Sequence, residues 1–211
     1  MKSNQRTSLN YRIGAMLFQL GHRLRNSKAK PVVELIRRGM HSQSHDPRQN
    51  GEYDLLDRLA ARDPRVIVDV GANHGEWSAA VRQRMPEVTI YAAEVNPQLT
   101  GPLIERFATD PLVTVLPYGM GATPGRLPIH LSQEDTLSSA HNLSFLGREE
   151  EVQVVDCPVD TIDAWRAKEG IRCIDLLKID VEGAEDQVLA GAKRSLQEGA
   201  ISSLQFEYGL A

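Results

Sequence analysis

Short apolar segments alternate with amphipathic ones along most of this 211-residue chain, and this alternation constrains the fold most strongly. The apolar segments lack the strict in–out alternation of half-exposed strands, so each is predicted to be covered on both faces. The amphipathic segments between them are long enough for crossover helices. The pattern therefore predicts an α/β fold, a Rossmann-like, doubly wound and mostly parallel sheet. The predicted strands are RVIVDVGA, VTIYAAEV, LVTVLPYG, CIDLLKIDVE and ISSLQFEYG.

Two parts of the chain depart from this alternation. Residues 1–50 combine a one-sided apolar helical pattern with a polar linker that contains Pro and Gly, which predicts a basic helical N-terminal extension. Residues 51–211 are predicted to form the main domain. Inside it, residues 122–158 have the pattern of two paired strands around a polar loop, an insertion that we expect to shape the substrate site.

Charge is distributed unevenly between these parts. Residues 1–50 hold ten Lys and Arg residues against two acids, a net charge of +8, whereas the remainder holds 14 against 26, a net charge of −12. An acidic main domain disfavours nucleic-acid binding, while the basic extension could contact an anionic membrane surface or the acidic domain itself. No apolar run reaches the roughly 18–20 residues of a membrane span, and two cysteines cannot form a disulfide framework. These features favour a cytoplasmic protein.

The segment DVGANHG, residues 69–75, lies between a predicted strand and a predicted helix, where open α/β sheets bind ligands. It lacks the lysine of a GxxxxGK[ST] loop, and Asn73 and Glu76 stand where a GxGxxG dinucleotide-binding loop has glycines. Acidic groups here would compete with a pyrophosphate for the helix amides. A ligand with an ammonium and a sulfonium removes this conflict, so we predict S-adenosylmethionine. The loop residues predicted to hold it are Asp69, Gly71, Ala72, Asn73 and Gly75.

Glu94 ends the second predicted strand and should reach the same edge of the sheet. A carboxylate at this position can accept hydrogen bonds from both hydroxyls of a ribose. It follows Gly75 by 19 residues, close to the roughly 20 of the general pattern. Alternatively, Glu94 is simply a solvent-exposed residue at the end of a strand. Its spacing from the glycine loop favours the interpretation that it binds a ribose. The neighbours Val95 and Asn96, with Gly119 at the end of the third strand, complete the predicted cofactor site.

The stretch LLKIDVEGAE, residues 176–185, places Lys178, Asp180 and Glu182 on one face of the fourth predicted strand. A lysine inside a covered strand needs a partner. Asp180 or Asp175 could be that partner, so a purely structural ion pair is one interpretation. Asp180 also falls at the carboxyl edge of the sheet, where it could face a transferable methyl group and an acceptor hydroxyl.

Taken together, DVGANHG, AAEVNP and DLLKIDVEGAE followed by VLAGA resemble the FkbM-type methyltransferases, a class I S-adenosylmethionine-dependent family, over roughly residues 66–208. The resemblance implies methyl transfer, usually to a hydroxyl oxygen of a sugar, polyketide or other secondary metabolite. It also implies that residues 69–75 bind the methionine end of the cofactor and that Glu94 binds its ribose. The resemblance also places Asp180 and Glu182 at the edge of the sheet where methyl transfer would take place.

Transfer to an alcohol needs alignment of the reactants and removal of the hydroxyl proton. Asp180 is the first candidate for the base, and the predicted catalytic set is Asp180, Glu182 and His141. His74 is a further alternative to Asp180, because imidazoles titrate near neutrality. A divalent metal on Asp180 and Glu182 could instead lower the hydroxyl pKa. The sequence offers no tight ligand cluster, so we assign no metal ligands.

Two other functions stay open from the sequence. One is an NAD-dependent oxidoreductase, which Asn73 and Glu76 disfavour, and the other is a truncated, non-catalytic cofactor-binding module. The second arises because a class I sheet continues with an antiparallel hairpin, whereas this sequence ends at Ala211, just after ISSLQFEYG. We therefore expect a sheet that lacks the hairpin and a chain that self-associates through the open edge of its fifth strand.

Overall fold

A computed structural model describes residues 51–131 and 153–206 of the protein. Residues 1–50, residues 132–152 and residues 207–211 lie outside the described residues. The N-terminal extension, the predicted substrate loop with His141 and the domain boundary near residue 50 therefore stay predictions.

Strands and helices alternate through the first half of the described chain, as the sequence predicts. These elements are α1 (Glu52–Ala60), β1 (Val66–Val70), α2 (Glu76–Arg84), β2 (Thr89–Ala93), α3 (Pro97–Phe107) and β3 (Val113–Leu116). The second half contains β4 (Gly119–Met120), β5 (Gly125–Leu131), β6 (Gln153–Asp160), α4 (Ile162–Lys168), β7 (Leu176–Ile179), α5 (Glu185–Gly191), α6 (Lys193–Gln197) and β8 (Leu204–Phe206).

The main sheet of the described residues has five strands in the order β3-β2-β1-β7-β8, and every neighbouring pair is parallel. This confirms the predicted α/β fold with a mostly parallel sheet. The chain runs outward from β1 to β3 and then returns to β7 on the other side of β1. The carboxyl ends of β1 and β7 therefore form the switch point at which such sheets bind ligands.

Burial on both faces explains the continuous apolar runs of the central strands. Val68 on β1 and its partner Leu177 on β7 pack into one core cluster, together with Trp165. Ile67 and its partner Leu176 pack into a second cluster, which includes residues of α1 and α2. Successive side chains of one strand thus enter opposite cores, as period-two geometry requires.

A second, three-stranded sheet has the order β4-β6-β5, with β5 antiparallel to β6. This pairing confirms the two strands predicted around the polar loop of the insertion. The segment LVTVLPYG, predicted as one strand, is divided between the sheets, because β3 ends at Leu116 and β4 pairs with β6 instead. Pro117 lies at the division, and it has no N–H to continue a ladder.

Other element boundaries differ modestly from the predictions. The segment GAEDQVLAGAKRSL is divided at Ala192 into α5 and α6, and α3 contains Pro102. Strand β7 ends at Ile179, so Asp180 and Glu182 belong to the loop that follows it.

The predicted fifth strand lies beside β7, with Leu204 paired to Leu177. Within the described residues it is formed by 204–206, and residues 207–211 are outside the described part, so self-association through this strand stays a prediction. None of the helices in the described ranges is long and apolar enough to cross a membrane.

Candidate functional site

The loop after β1 is packed tightly against the loop after β7. Gly71 has a left-handed φ of 80°, and a Cβ placed on it would lie 1.8 Å from the carbonyl oxygen of Asp180. Gly75 has a φ of 78°, and its Cβ would lie 2.7 Å from atoms of Leu103 and Phe107 on α3. The left-handed backbone favours glycine at both positions, and at Gly71 the neighbouring carbonyl leaves no room for a side chain.

Asp69 lies on β1 beneath this loop and is fully buried, with a side-chain exposure of 0%. Its Oδ1 accepts a hydrogen bond from Lys178 Nζ at 3.2 Å, and its Oδ2 accepts one from Ser78 Oγ at 2.7 Å. The two strands place these residues in register, since Asp69 pairs directly with Lys178. Both carboxylate oxygens are thus satisfied within the protein, and binding of a ligand ammonium by Asp69 stays a prediction.

Lys178 bridges two carboxylates. Besides Asp69, its Nζ contacts Asp180 Oδ2 at 3.1 Å, and it lies 5.5 Å from the centre of the Trp77 ring. Burial alone would lower the pKa of Lys178, but the charges of Asp69 and Asp180 outweigh it and raise that pKa above its ordinary value. The ammonium therefore stays protonated across the physiological range.

The partners of Lys178 differ in part from those expected. Asp180 is one of them, as predicted, but Asp69 replaces the alternative Asp175. The carboxylate of Asp175 instead accepts hydrogen bonds from the backbone amides of Arg65 and Val66, at 2.7 and 3.0 Å. Asp175 therefore stabilises the start of β1, at the opposite end of the sheet from the candidate site.

Glu94 follows β2 and is buried, with 6% of its surface exposed. Its Oε2 accepts a hydrogen bond from the amide of Asn73, and its Oε1 accepts one from the amide of Asn96, both at 2.8 Å. Burial raises the pKa of Glu94, and the amides of Asn96 and Asn73 oppose this only in part. The carboxylate thus joins the loop after β1 to the loop after β2.

The remaining predicted cofactor residues surround these two loops. Ala72 is buried, and Asn73 has a φ of 51° while its side chain accepts a hydrogen bond from the amide of His74 at 2.7 Å. Asn96 caps α3 by accepting a hydrogen bond from the amide of Gln98 at 2.9 Å. A Cβ on Gly119 would lie 3.0 Å from Val95 Cγ2, so the start of β4 lies against the loop that follows β2.

The prediction that Glu182 shares a strand face with Lys178 and Asp180 is wrong, because the strand ends before it. Glu182 is exposed and has a φ of 51° in a turn. The carboxylate of Glu185 closes this turn by accepting hydrogen bonds from the amides of Val181 and Gly183, each at 3.2 Å. Glu185, like Ser78, was missed from the sequence, although its position in the first turn of a helix is where carboxylates commonly bind free amides.

The VLAGA motif also has a packing explanation. Gly191 ends α5, and a Cβ there would lie 2.0 Å from the carbonyl oxygen of Gly121, just past β4. Gly121 is itself close to β6, since a Cβ placed on it would lie 2.9 Å from Val159 Cγ1. The helix after the candidate site is thereby packed onto the second sheet.

The carboxyl edge is acidic once the Asp69–Lys178 pair is set aside. The acidic residues that remain there are Glu94, Asp180 and Glu182, a set that suits a ligand carrying an ammonium and a sulfonium and opposes a pyrophosphate. The chemistry of this set fits S-adenosylmethionine. In residues 51–131 and 153–206, no group of three or more His, Cys, Asp or Glu side chains could hold a metal ion.

A doubly wound parallel sheet with ligand groups at its switch point defines a Rossmann-like ligand-binding domain. The family within that class is given by sequence comparison: the methyltransferase FkbM domain matches residues 69–210, more than half of the chain. The protein therefore belongs to the FkbM methyltransferase domain family, as the three motifs predicted.

Individual relatives are more distant. The 2-O-methyltransferase NoeI of Sinorhizobium fredii (strain NBRC 101917 / NGR234) is 28% identical over 153 residues, which cover 67% of this chain and 63% of the relative. Trans-aconitate 2-methyltransferase of Rhodococcus jostii (strain RHA1) is 33% identical over 61 residues, which cover 29% of this chain and 24% of that relative. The chain thus spans less than two thirds of the length of either.

Among solved structures, a methyltransferase FkbM from Methylobacillus flagellatus KT aligns with a TM-score of 0.49 at 19% identity. The alignment covers 89% of this chain and 46% of that chain.

Proposed function

We propose that the protein is an S-adenosylmethionine-dependent methyltransferase that methylates a hydroxyl oxygen of a small-molecule or glycan acceptor, such as a sugar, a polyketide or another secondary metabolite. The observation that carries the proposal is the meeting of Glu94, the Gly71 loop and Asp180 at one edge of the sheet, in a chain of the FkbM family. The name of the NoeI relative, a 2-O-methyltransferase, supports oxygen as the acceptor atom.

Glu94 is the proposed ribose-binding residue. An ionised carboxylate can accept about four hydrogen bonds, and the two backbone amides use only one on each oxygen. The amide of Val95 is a further donor near the carboxylate, and capacity for a ribose hydroxyl remains. The raised pKa of Glu94 indicates that the protein does not fully compensate this buried charge, which is typical of a group that a ligand completes.

The loop residues Gly71, Ala72, Asn73 and Gly75 would hold the methionine end of the cofactor. Val95, Asn96 and Gly119 would line its adenosine end. Bound there, S-adenosylmethionine supplies an electrophilic methyl carbon on a positively charged sulfur. The task that is left to the chain is to align the acceptor hydroxyl and to receive its proton.

Asp180 is the proposed base. Its side chain is 39% exposed at the switch point, so it can reach an acceptor and return the proton to solvent. With S-adenosylmethionine held by the loops after β1 and β2, Asp180 would accept the proton of the acceptor hydroxyl while the cofactor would supply the methyl group. Glu182 and His141 are the other proposed catalytic residues, the first in the adjacent turn and the second outside the described residues.

Titration calorimetry with S-adenosylhomocysteine tests the cofactor assignment. We expect micromolar binding, about −8 kcal/mol, because this is a usual affinity for such a ligand. Glu94→Gln should weaken it about 10- to 100-fold, since a hydrogen bond to a charged group contributes about 1.5–3 kcal/mol. The matched control is Glu105→Gln, which alters an exposed residue of α3 and should leave the affinity unchanged. Tight NADH binding without a response to S-adenosylhomocysteine would identify an oxidoreductase instead.

Release of S-adenosylhomocysteine in the presence of p-nitrophenyl hexosides tests the reaction itself. We expect methylation of at least one hexoside, with the methyl group on oxygen by mass spectrometry. Binding of the cofactor without transfer to any member of the panel would contradict a sugar-methylating enzyme and favour a non-catalytic cofactor-binding module.

A further inference from the structure

Lys178 contacts the proposed base, and its place in the site goes beyond neutralising a buried charge. We propose that Lys178 is a positioning residue for Asp180: it fixes one oxygen of that carboxylate so that the other faces the acceptor hydroxyl. The inference rests on the proposed function, and in particular on Asp180 as the base.

The ammonium of Lys178 is held firmly enough to act as an anchor. Its side chain is 7% exposed, and Nζ is within 3.2 Å of a carboxylate that has no exposure at all. Ser78 holds the second oxygen of Asp69, so that carboxylate cannot turn away from the ammonium without losing a buried hydrogen bond. The Trp77 ring lies beside the ammonium as a further neighbour.

Asp180 is restrained by the same contacts on both its main chain and its side chain. Its amide donates to the carbonyl of Val70 at 2.9 Å, and its own carbonyl lies against Gly71. Oδ2 accepts the hydrogen bond from Lys178, whereas Oδ1 accepts none from the described residues. Without the ammonium, a partly exposed aspartate just past a strand end would rotate among several rotamers. With it, one oxygen is fixed and the second has a defined direction.

Charge balance argues against a purely structural role for this contact. Asp69 and Lys178 alone already neutralise each other in the core, so burial of the lysine does not require a second acid. The bridge to Asp180, whose side chain is 39% exposed, is screened by solvent more than the bridge to the fully buried Asp69 and contributes less to stability. A bridge that folding needs less, yet that fixes the residue at the switch point, points to a role in orientation.

A double-mutant cycle tests the inference. Lys178→Met alone would leave Asp69 charged and unpaired in the core, so the cycle is built on an Asp69→Asn background, in which Lys178 keeps Asp180 as its partner. All four proteins carry Asp69→Asn. The first carries no other change, the second adds Lys178→Met, the third adds Asp180→Asn, and the fourth adds both. Turnover is measured on the hexoside that the wild-type protein methylates best, and S-adenosylhomocysteine affinity is measured by calorimetry.

We expect Lys178→Met to lower kcat about 10- to 100-fold on this background, because displacing a reacting group by about 1 Å can cost about 100-fold. Added to Asp180→Asn, the same change should lower kcat less than about threefold, since the oriented group is already gone. The acceptor KM and the S-adenosylhomocysteine affinity should stay within about threefold among the four proteins. Lys168→Met, at an exposed lysine in the last turn of α4, is the matched control and should leave kcat unchanged.

Urea unfolding of the same four proteins provides a readout without cofactor or acceptor, and coupled midpoints for Lys178 and Asp180 are expected because the side chains touch. Coupling in unfolding without coupling in kcat would overturn the positioning role and leave a structural ion pair. Independent midpoints would show that the contact is not formed. A wild-type protein that binds S-adenosylhomocysteine but methylates no hexoside would contradict a sugar-methylating enzyme, and the role of Lys178 in sugar methylation would be rejected with it.

Discussion

The two sides of β1 stabilise a buried acid in different ways. On the β7 side, Asp69 is paired with the ammonium of Lys178 and the hydroxyl of Ser78. On the β2 side, Glu94 accepts hydrogen bonds from the backbone amides of Asn73 and Asn96, and the amide of Val95 also stabilises its charge. The carboxylate of Asp69 is thus stabilised by an opposite charge, whereas that of Glu94 is stabilised by the dipoles of backbone amides.

Their electrostatics differ accordingly. On the β7 side burial alone would lower the pKa of Lys178, but the charges of Asp69 and Asp180 outweigh it and raise that pKa, so the ammonium is favoured despite its burial. On the β2 side burial raises the pKa of Glu94, so its ionised form is incompletely stabilised. A buried acid with a full set of partners belongs to the structure, while one with spare acceptor capacity at a ligand edge is suited to binding.

The largest effect on stability should follow from removing the ammonium of Lys178 on the β7 side. Lys178→Met leaves Asp69 charged, buried and without its cation, and we expect the free energy of unfolding to fall by about 3–5 kcal/mol. Urea denaturation measures the loss. Adding Asp69→Asn should recover much of it, because the remaining pair of side chains is uncharged. A loss below about 1 kcal/mol for the single variant would show that solvent reaches Asp69 and that the two sides do not differ as described.

A smaller effect is expected where the β1 loop touches the β7 loop. Gly71→Ala places a methyl group against the Asp180 carbonyl and forces alanine into a left-handed backbone, which alone costs about 1–2 kcal/mol. We expect lower stability and at least about tenfold weaker S-adenosylhomocysteine binding by calorimetry.

Gly170→Ala is the matched control for this variant, since Gly170 has a φ of 68° and open space around its Cβ position. It should show the backbone cost without a change in cofactor affinity. Equal affinity losses in the two variants would mean that destabilisation, rather than displacement of the Gly71 loop, weakens binding.

Local sequence was sufficient to predict some of these features. The alternation of apolar runs gave the parallel sheet, and the lysine in a covered strand indicated that a buried charge partner exists. The sequence could not indicate which acid is the partner of Lys178, because Asp69 is adjacent to Lys178 only through the crossover that places β7 beside β1. Nearby Asp175 was an equally good candidate until topology placed it at the other end of the strand.

The prediction for Glu182 failed for a related reason. Counting alternate residues assumes that the strand continues, but β7 ends at Ile179 and the turn closed by Glu185 follows two residues later. The division of LVTVLPYG was more accessible from sequence, since Pro117 cannot donate a ladder hydrogen bond. Which glycines contact the protein itself could not be read from spacing, because their neighbours Asp180 and Phe107 come from distant elements.

The smallest effect should be a pH dependence that belongs to the β2 side alone. The pKa of Glu94 in the folded protein is raised, so between the unfolded value of about 4.3 and that raised value the folded state binds more protons than the unfolded state. The contribution of Glu94 to stability therefore falls as pH rises through this window. Lys178 adds no slope there, because a raised lysine pKa keeps its contribution constant until the pH exceeds about 10.4.

Urea unfolding of the wild type and of Glu94→Gln between pH 4 and pH 7 measures this slope. Glutamine does not titrate, so any constant cost of its mismatched amide cancels when the difference between the two proteins is followed against pH. We expect the free energy of unfolding of the wild type, relative to the variant, to decrease as pH rises and then to level off. An increase with pH would mean that the amides of Asn73 and Asn96 lower the pKa of Glu94 after all. Glu94 would then be as fully compensated as Asp69, and the contrast between the two sides of β1 would be lost.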